Sequence, residues 1–149
     1  MNQEKIKIAI VMSNFNQEIS SNLLENFYDH ARNINFPEKN ITLYNVPGAF
    51  EIPYMVKRVA LTEKFNAIVC LGSLIKGETI HFEIIASELA HGISQISQQH
   101  LLPVIFGVLT VNNLKQANDR IFKAHSDLII DWNIYLNLAL PKFFLYELA

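Results

Sequence analysis

Two hydrophobic periods alternate along this chain. Short, nearly unbroken apolar runs at residues 6–12, 41–46, 66–71 and 103–110 are strand candidates. Between them, apolar residues recur every three or four positions. Ile19, Leu23, Leu24, Phe27 and Ala31, with Glu18, Glu25, Asp29 and Arg32 opposite, predict a helix that stops near Asn33, before Pro37. A second helix opens at residues 49–53 with the stripe Ile52, Met55, Val56, Val59 and Ala60. Pro53 is acceptable there because a first helical turn needs no internal N–H donor. Phe82, Ile85, Ala86, Leu89, Ile93 and Ile96 predict a third helix from about His81 to about Gln98. Asn112 or Asn113 caps a fourth bearing Leu114, Ala117 and Ile121, and a fifth spans about 127–140, up to Pro141.

Strands that alternate with helices imply right-handed crossovers and a parallel sheet covered on both faces. Ligands of such open sheets bind outside the carboxyl ends of the strands, near the switch in strand order. The loops at those ends begin at Ser13, Val46, Gly72 and Thr110. Phe15, residues 48–51, residues 76–81 and Arg120 are therefore expected to share one rim.

Composition narrows the class. At 149 residues, half of them hydrophobic and 17% charged, the chain carries a core's worth of apolar residues for one domain, 1–149. A net charge of -2 argues against a non-specific nucleic-acid binder. Cys70 is alone and lies in an apolar run, which suits a buried thiol in a reducing compartment. The amino terminus lacks a signal-peptide pattern. The apolar run after Leu128 is broken by charges, leaving ten uncharged residues between Asp131 and Lys142, too short to span a bilayer. The reading is a cytoplasmic protein without membrane or nucleic-acid partners.

The densest candidate chemistry is the stretch 71–83, Leu-Gly-Ser-Leu-Ile-Lys-Gly-Glu-Thr-Ile-His-Phe-Glu. An apolar strand, a turn with two glycines and a fresh helix start make an anion site, since the first N–H groups of a helix lack internal acceptors. Histidine, here His81, is the side chain whose ordinary pKa lies close to neutrality. Taken singly, the other candidates have structural readings too. Phe15 is a packing plug or a stacking platform. Gly48 supplies a positive φ to a Pro47-Gly48-Ala49 turn. Glu51 complements a helix dipole, and Arg120 is a solvated charge or a phosphate clamp. No His or Cys pair stands at metal-ligand spacing, so no metal is expected, and there is no P-loop or dinucleotide glycine fingerprint.

In order and spacing, four segments resemble the lumazine synthase family, over about residues 6–120. They are Phe15-Asn16, Val46-Pro47-Gly48-Ala49-Phe50-Glu51-Ile52-Pro53, residues 71–82 with the core Lys-Gly-Glu-Thr-x-His, and residues 103–110. The resemblance implies a flavodoxin-like, three-layer αβα sandwich with a four-stranded parallel sheet. It implies a cofactor-free condensation of 5-amino-6-(ribitylamino)pyrimidinedione with 3,4-dihydroxy-2-butanone 4-phosphate in riboflavin biosynthesis. An imine forms, phosphate leaves, and ring closure with loss of water gives 6,7-dimethyl-8-ribityllumazine. The alternative is a divergent, weakly active member that binds flavin or lumazine.

Carried over by position, Phe15 would stack on the pyrimidine, and Ala49, Phe50 and Glu51 would line the ribityl chain. Ser73, Leu74 and Ile75 would offer backbone groups to the pyrimidine edge. Gly77, Glu78 and Thr79 would present amides to phosphate, with Arg120 as its charged partner, and His81 would move protons. Phe106 would close the pocket from a neighbouring subunit of a homo-oligomer, a pentamer or decamer. The sequence departs from the family at Leu128, where a lysine is expected, at Ile80, where proline is usual, and over Val111-Asn112-Asn113.

Overall fold

A computed structural model describes residues 5–123. The expected helix at 127–140 and Leu128 lie outside the described residues. The elements run β1 (Ile8–Ser13), α1 (Gln17–Asn33), β2 (Ile41–Val46), α2 (Ile52–Ala60), β3 (Ala67–Ile75), α3 (His81–His100), β4 (Val104–Val111) and α4 (Leu114–Lys123). All strand pairs are parallel, in the order β2-β1-β3-β4. The chain steps outward from β1 to β2, then crosses back to β3 and β4. The switch in strand order therefore lies between β1 and β3.

Alternate residues of each strand feed two cores. Ile8, Ile10 and Met12 of β1, with Val69 and Leu71 of β3, pack against Ile19, Leu23 and Phe27 of α1 and Ala117 and Ile121 of α4. On the other face, Ala9, Val11, Ile68 and Cys70 meet Ile52, Val56 and Val59 of α2 and Leu89, Ile93 and Ile96 of α3. The period of two in β1 and β3 thus makes a three-layer αβα sandwich, flavodoxin-like in form.

Local chemistry sets the boundaries. Helix α1 ends as Asn35 takes a left-handed conformation (φ 56), and the Phe36 N–H returns to Ala31 O at 2.8 Å. Pro53 occupies the first turn of α2, as its missing donor requires. Asn113 accepts the Gln116 N–H at 2.9 Å, while Gln116 Oε1 accepts the Asn112 N–H at 2.8 Å, so the start of α4 is capped from both directions.

Two expectations change. Residues 72–75 are not loop. They continue β3, in register with β4 from Gly72↔Val108 to Ile75↔Val111. Gly72 serves close packing there: a Cβ would stand 3.1 Å from Ser13 Cβ. Gly48 does not supply a positive φ either, since its backbone is extended (φ -144, ψ 177). Its missing side chain leaves room for the carboxylate of Glu51, whose Oε2 lies 3.0 Å from where a Cβ would sit.

Candidate active site

The pocket forms at the switch point because two elements of one stretch overhang the sheet. Strand β3 pairs with β1 only as far as Met12↔Leu71, yet continues beside β4 to Ile75. Along residues 72–75 its β1-side edge has no strand partner, and that edge carries backbone donors and acceptors. Helix α3 overhangs too. Its buried residues are Leu89, Ile93 and Ile96, whereas Phe82 and Ile85, expected in the buried stripe, are only partly covered.

Between these overhangs lies a cavity of about 700 Å³. Phe15 lines it from the turn after β1, and Gly48, Ala49, Phe50 and Glu51 from the turn before α2. Ser73, Leu74 and Ile75 contribute the β3 edge, and Gly77, Thr79 and His81 the following loop and helix start. Phe82, Ile84 and Ile85 complete the wall.

Phe15 is 67% exposed, but its backbone is held. Its N–H donates to Ser13 Oγ at 3.3 Å, the Asn14 N–H donates to Val46 O at 2.8 Å, and Asn16 sits in a left-handed conformation (φ 56). An exposed aromatic ring on a fixed turn can stack on a flat ligand at low entropic cost. Residues 49–51 form one 3-10 turn that leads into α2, which presents the Glu51 carboxylate near the head of that helix. A carboxylate in such a place accepts hydrogen bonds from hydroxyl groups.

After Ile75, the Lys76 N–H still reaches Val111 O at 2.9 Å, and the chain then leaves the sheet. Gly77 has neither a positive φ nor any atom within 4 Å of a would-be Cβ. Neither backbone conformation nor packing calls for glycine there, and the space beside it is open toward the cavity it lines. The His81 N–H faces Thr79 Oγ1 at 3.4 Å, and the imidazole lines the pocket at the first residue of α3.

Of the residues singled out from sequence, the structure brings together Phe15, Ala49, Phe50, Glu51, Ser73, Leu74, Ile75, Gly77, Thr79 and His81. It does not bring Glu78, Phe106 or Arg120 into that wall. Arg120 is an exposed residue of α4 and does not line this cavity. Phe106 is partly exposed on the edge strand β4, in register with Cys70 rather than with the pocket end. Phe82, Ile84 and Ile85 were missed as lining residues. Ile84, an apolar residue off the stripe of Leu89, Ile93 and Ile96, was the available signal.

Among the described residues no group of three His, Cys, Asp or Glu side chains could hold a metal ion, and no helix is long and apolar enough to cross a membrane. The Cys70 thiol is fully buried in the sheet, and burial pushes its pKa up.

A flavodoxin-like sandwich with an apolar, carboxylate- and histidine-bearing pocket at its strand switch defines a class of small-molecule-binding α/β enzymes. A profile of the 6,7-dimethyl-8-ribityllumazine synthase family matches residues 5–128. The chain belongs to that family, and its place is in riboflavin biosynthesis. It is 44% identical over 120 residues to the 6,7-dimethyl-8-ribityllumazine synthase of Protochlamydia amoebophila, covering 80% of this chain and 70% of that protein. It is 46% identical over 114 residues to the enzyme of the same name from Chlorobium phaeovibrioides, covering 76% and 74% of the two chains. The Chlorobium luteolum enzyme is 44% identical over 114 residues, with the same coverage.

Proposed function

We propose that this pocket condenses 5-amino-6-(ribitylamino)pyrimidinedione with 3,4-dihydroxy-2-butanone 4-phosphate. The observation that carries the reading is the arrangement of one cavity. An exposed aromatic on a pinned turn, a strand edge without a strand partner and a histidine that follows a glycine-bearing loop all line it.

The flat pyrimidine stacks on Phe15 and uses the free backbone groups of residues 73–75. The ribityl hydroxyls donate to Glu51. The phosphate meets the loop of Gly77, Glu78 and Thr79. The aromatic amine attacks the ketone carbon, and loss of one water leaves an imine. His81 takes the proton from the neighbouring carbon, and the electron pair expels inorganic phosphate. The enol left behind takes a proton at its terminal carbon and becomes a ketone, and attack of the ribityl-bearing nitrogen on that new carbonyl, with loss of a second water, closes the ring. Holding both substrates in one orientation and moving protons near neutral pH supply the acceleration.

A second subunit completes the site in this reading. Among the described residues of one chain, the cavity wall holds no lysine or arginine, although a phosphate dianion leaves from it. Arg120 and Phe106, both outside the wall, come from a neighbouring copy within a pentamer or a pair of pentamers. Small molecules, and not nucleic acid, are the remaining partners, and the protein works in the cytoplasm.

Purified protein mixed with both substrates should form lumazine, read by absorbance and fluorescence, faster than the spontaneous condensation. No excess rate overturns the reading. Mixing His81→Ala and Arg120→Ala subunits should restore part of the activity that each lacks. No recovery after subunit exchange refutes the shared site, and light scattering from a megadalton shell refutes the small assembly.

A further inference from the structure

Lys76 and Glu83 bracket the segment that carries Gly77, Thr79 and His81 of the pocket wall. Lys76 is the last residue tied to the sheet, through its N–H to Val111 O at 2.9 Å. Glu83 lies in the first turn of α3. Lys76 Nζ stands 2.7 Å from Glu83 Oε1, and both side chains are 48% exposed. Neither residue lines the cavity.

Between them the chain has weak tethers of its own. The His81 N–H reaches Thr79 Oγ1 at 3.4 Å, at the limit of a hydrogen bond, and nothing stands within 4 Å of a would-be Cβ on Gly77. An ion pair from the end of β3 to the start of α3 closes this span from outside, as a short cross-link would. It lowers the number of conformations open to residues 77–80 before a ligand arrives.

We propose that the Lys76–Glu83 ion pair is a positioning clamp that holds the amides of residues 77–79 and the start of α3 ready for the phosphate-bearing substrate. The inference rests on the functional reading above. Both are positioning residues, because neither touches substrate.

The sign of the effect separates a clamp from simple charge. Glu83→Gln removes a negative charge beside a phosphate site, so charge alone would lower KM for the butanone phosphate. A clamp gives the opposite sign. Glu83→Gln and Lys76→Met should each raise that KM about 2- to 5-fold, the scale of one exposed pair. KM for the pyrimidinedione should stay within about 1.5-fold, because stacking on Phe15 does not depend on this loop. The exchanged pair, K76E/E83K, keeps the net charge, restores the contact and should return KM to within about 1.5-fold of the wild type. At about 1 M salt, where the Debye length is near 3 Å, wild type and E83Q should converge.

The clamp is overturned if E83Q lowers the butanone phosphate KM or leaves it unchanged. It is also overturned if the exchanged pair stays at the level of the single variants, or if both substrates' KM values rise together. Failure of the wild type to accelerate condensation would refute the functional reading instead. The clamp is then read in ligand-free protein by amide hydrogen exchange over residues 77–81. Exchange should be faster in both single variants and wild-type-like in the exchanged pair. Unchanged exchange in the single variants overturns the proposal.

Discussion

The two glycines of the stretch 71–83 should respond to the same substitution in opposite directions. A methyl group on Gly72 would stand 3.1 Å from Ser13 Cβ, 3.7 Å from Val108 Cγ1 and 3.8 Å from Ile52 Cδ1. The first contact decides the outcome. Ser13 Cβ is fixed to the backbone of β1 and cannot swing aside, so the pocket ends of β1 and β3 must part by a few tenths of an ångström. Overpacking by one methylene costs about 1–3 kcal/mol, and the reduced freedom of the unfolded chain returns about 0.4–1 kcal/mol. Gly72→Ala should therefore lose about 1–2 kcal/mol net, lowering Tm by roughly 2–8 °C for a chain of this size. Gly77→Ala meets nothing within 4 Å and needs no positive φ, so it should be neutral or gain up to about 1 kcal/mol. Its methyl should instead obstruct the amides, raising KM for the butanone phosphate about tenfold, the worth of one charge-assisted hydrogen bond. Thermal and urea unfolding at matched oligomeric state, with steady-state kinetics, read both. A Gly72→Ala protein as stable as the wild type, or a Gly77→Ala protein that loses stability, refutes the packing argument.

Further outcomes are expected. His81→Ala should lower turnover on the order of 100-fold with Tm unchanged, and an unchanged rate removes His81 from proton transfer. Cys70 should resist a thiol reagent at pH 8 in folded protein and react on unfolding, because burial raises its pKa; rapid reaction of native protein contradicts that burial. The hydrogen bond from Lys76 holds the Glu83 carboxyl below its ordinary value of 4.5. A carboxyl of depressed pKa stabilises the fold above its unfolded value and loses that contribution as pH falls through its folded value. The stability difference between wild type and E83Q should thus be full at pH 6–7 and shrink as pH falls below the carboxyl's ordinary value of 4.5. A difference that grows on acidification has the wrong sign.

The layers of this fold were legible because each helix carries one apolar stripe and each strand is a short, nearly unbroken apolar run, as a strand covered on both faces requires. The stripe of α1 predicts Ile19, Leu23, Phe27 and Ala31 in one core, with Leu24 at its margin, and the apolar runs of β1 and β3 supply both cores. A cap at Asn112 or Asn113 was legible from residue type, and the reciprocal bonds of Gln116 decide for Asn113. Gly72 and Ser73 were misread as loop, whereas Gly48 does lie in a turn and was misread only in its φ. Glycine and serine are depleted in strands and enriched in turns, but that preference averages over positions where no other backbone presses close. At Gly72 the neighbouring Ser13 decides, and at Gly48 the Glu51 carboxylate decides. Both are contacts between residues distant in sequence or folded back on a turn, and hydropathy does not report them.

The misreading matters for the site. If residues 72–75 were loop, their amides would be free on every side and their positions set by the ligand. As strand they are fixed by β4 on one edge and unpartnered on the other, so the orientation of that edge is decided before anything binds. The same holds at the far wall, where Phe82, Ile84 and Ile85 extend past the buried part of α3 on a rigid helix. An open strand edge and three incompletely covered apolar side chains are both unfavourable in water without a partner. Covering them with one flat, hydrogen-bonding ligand offsets both costs at once. A ligand of only one character, greasy or polar, leaves one of the two walls unmatched.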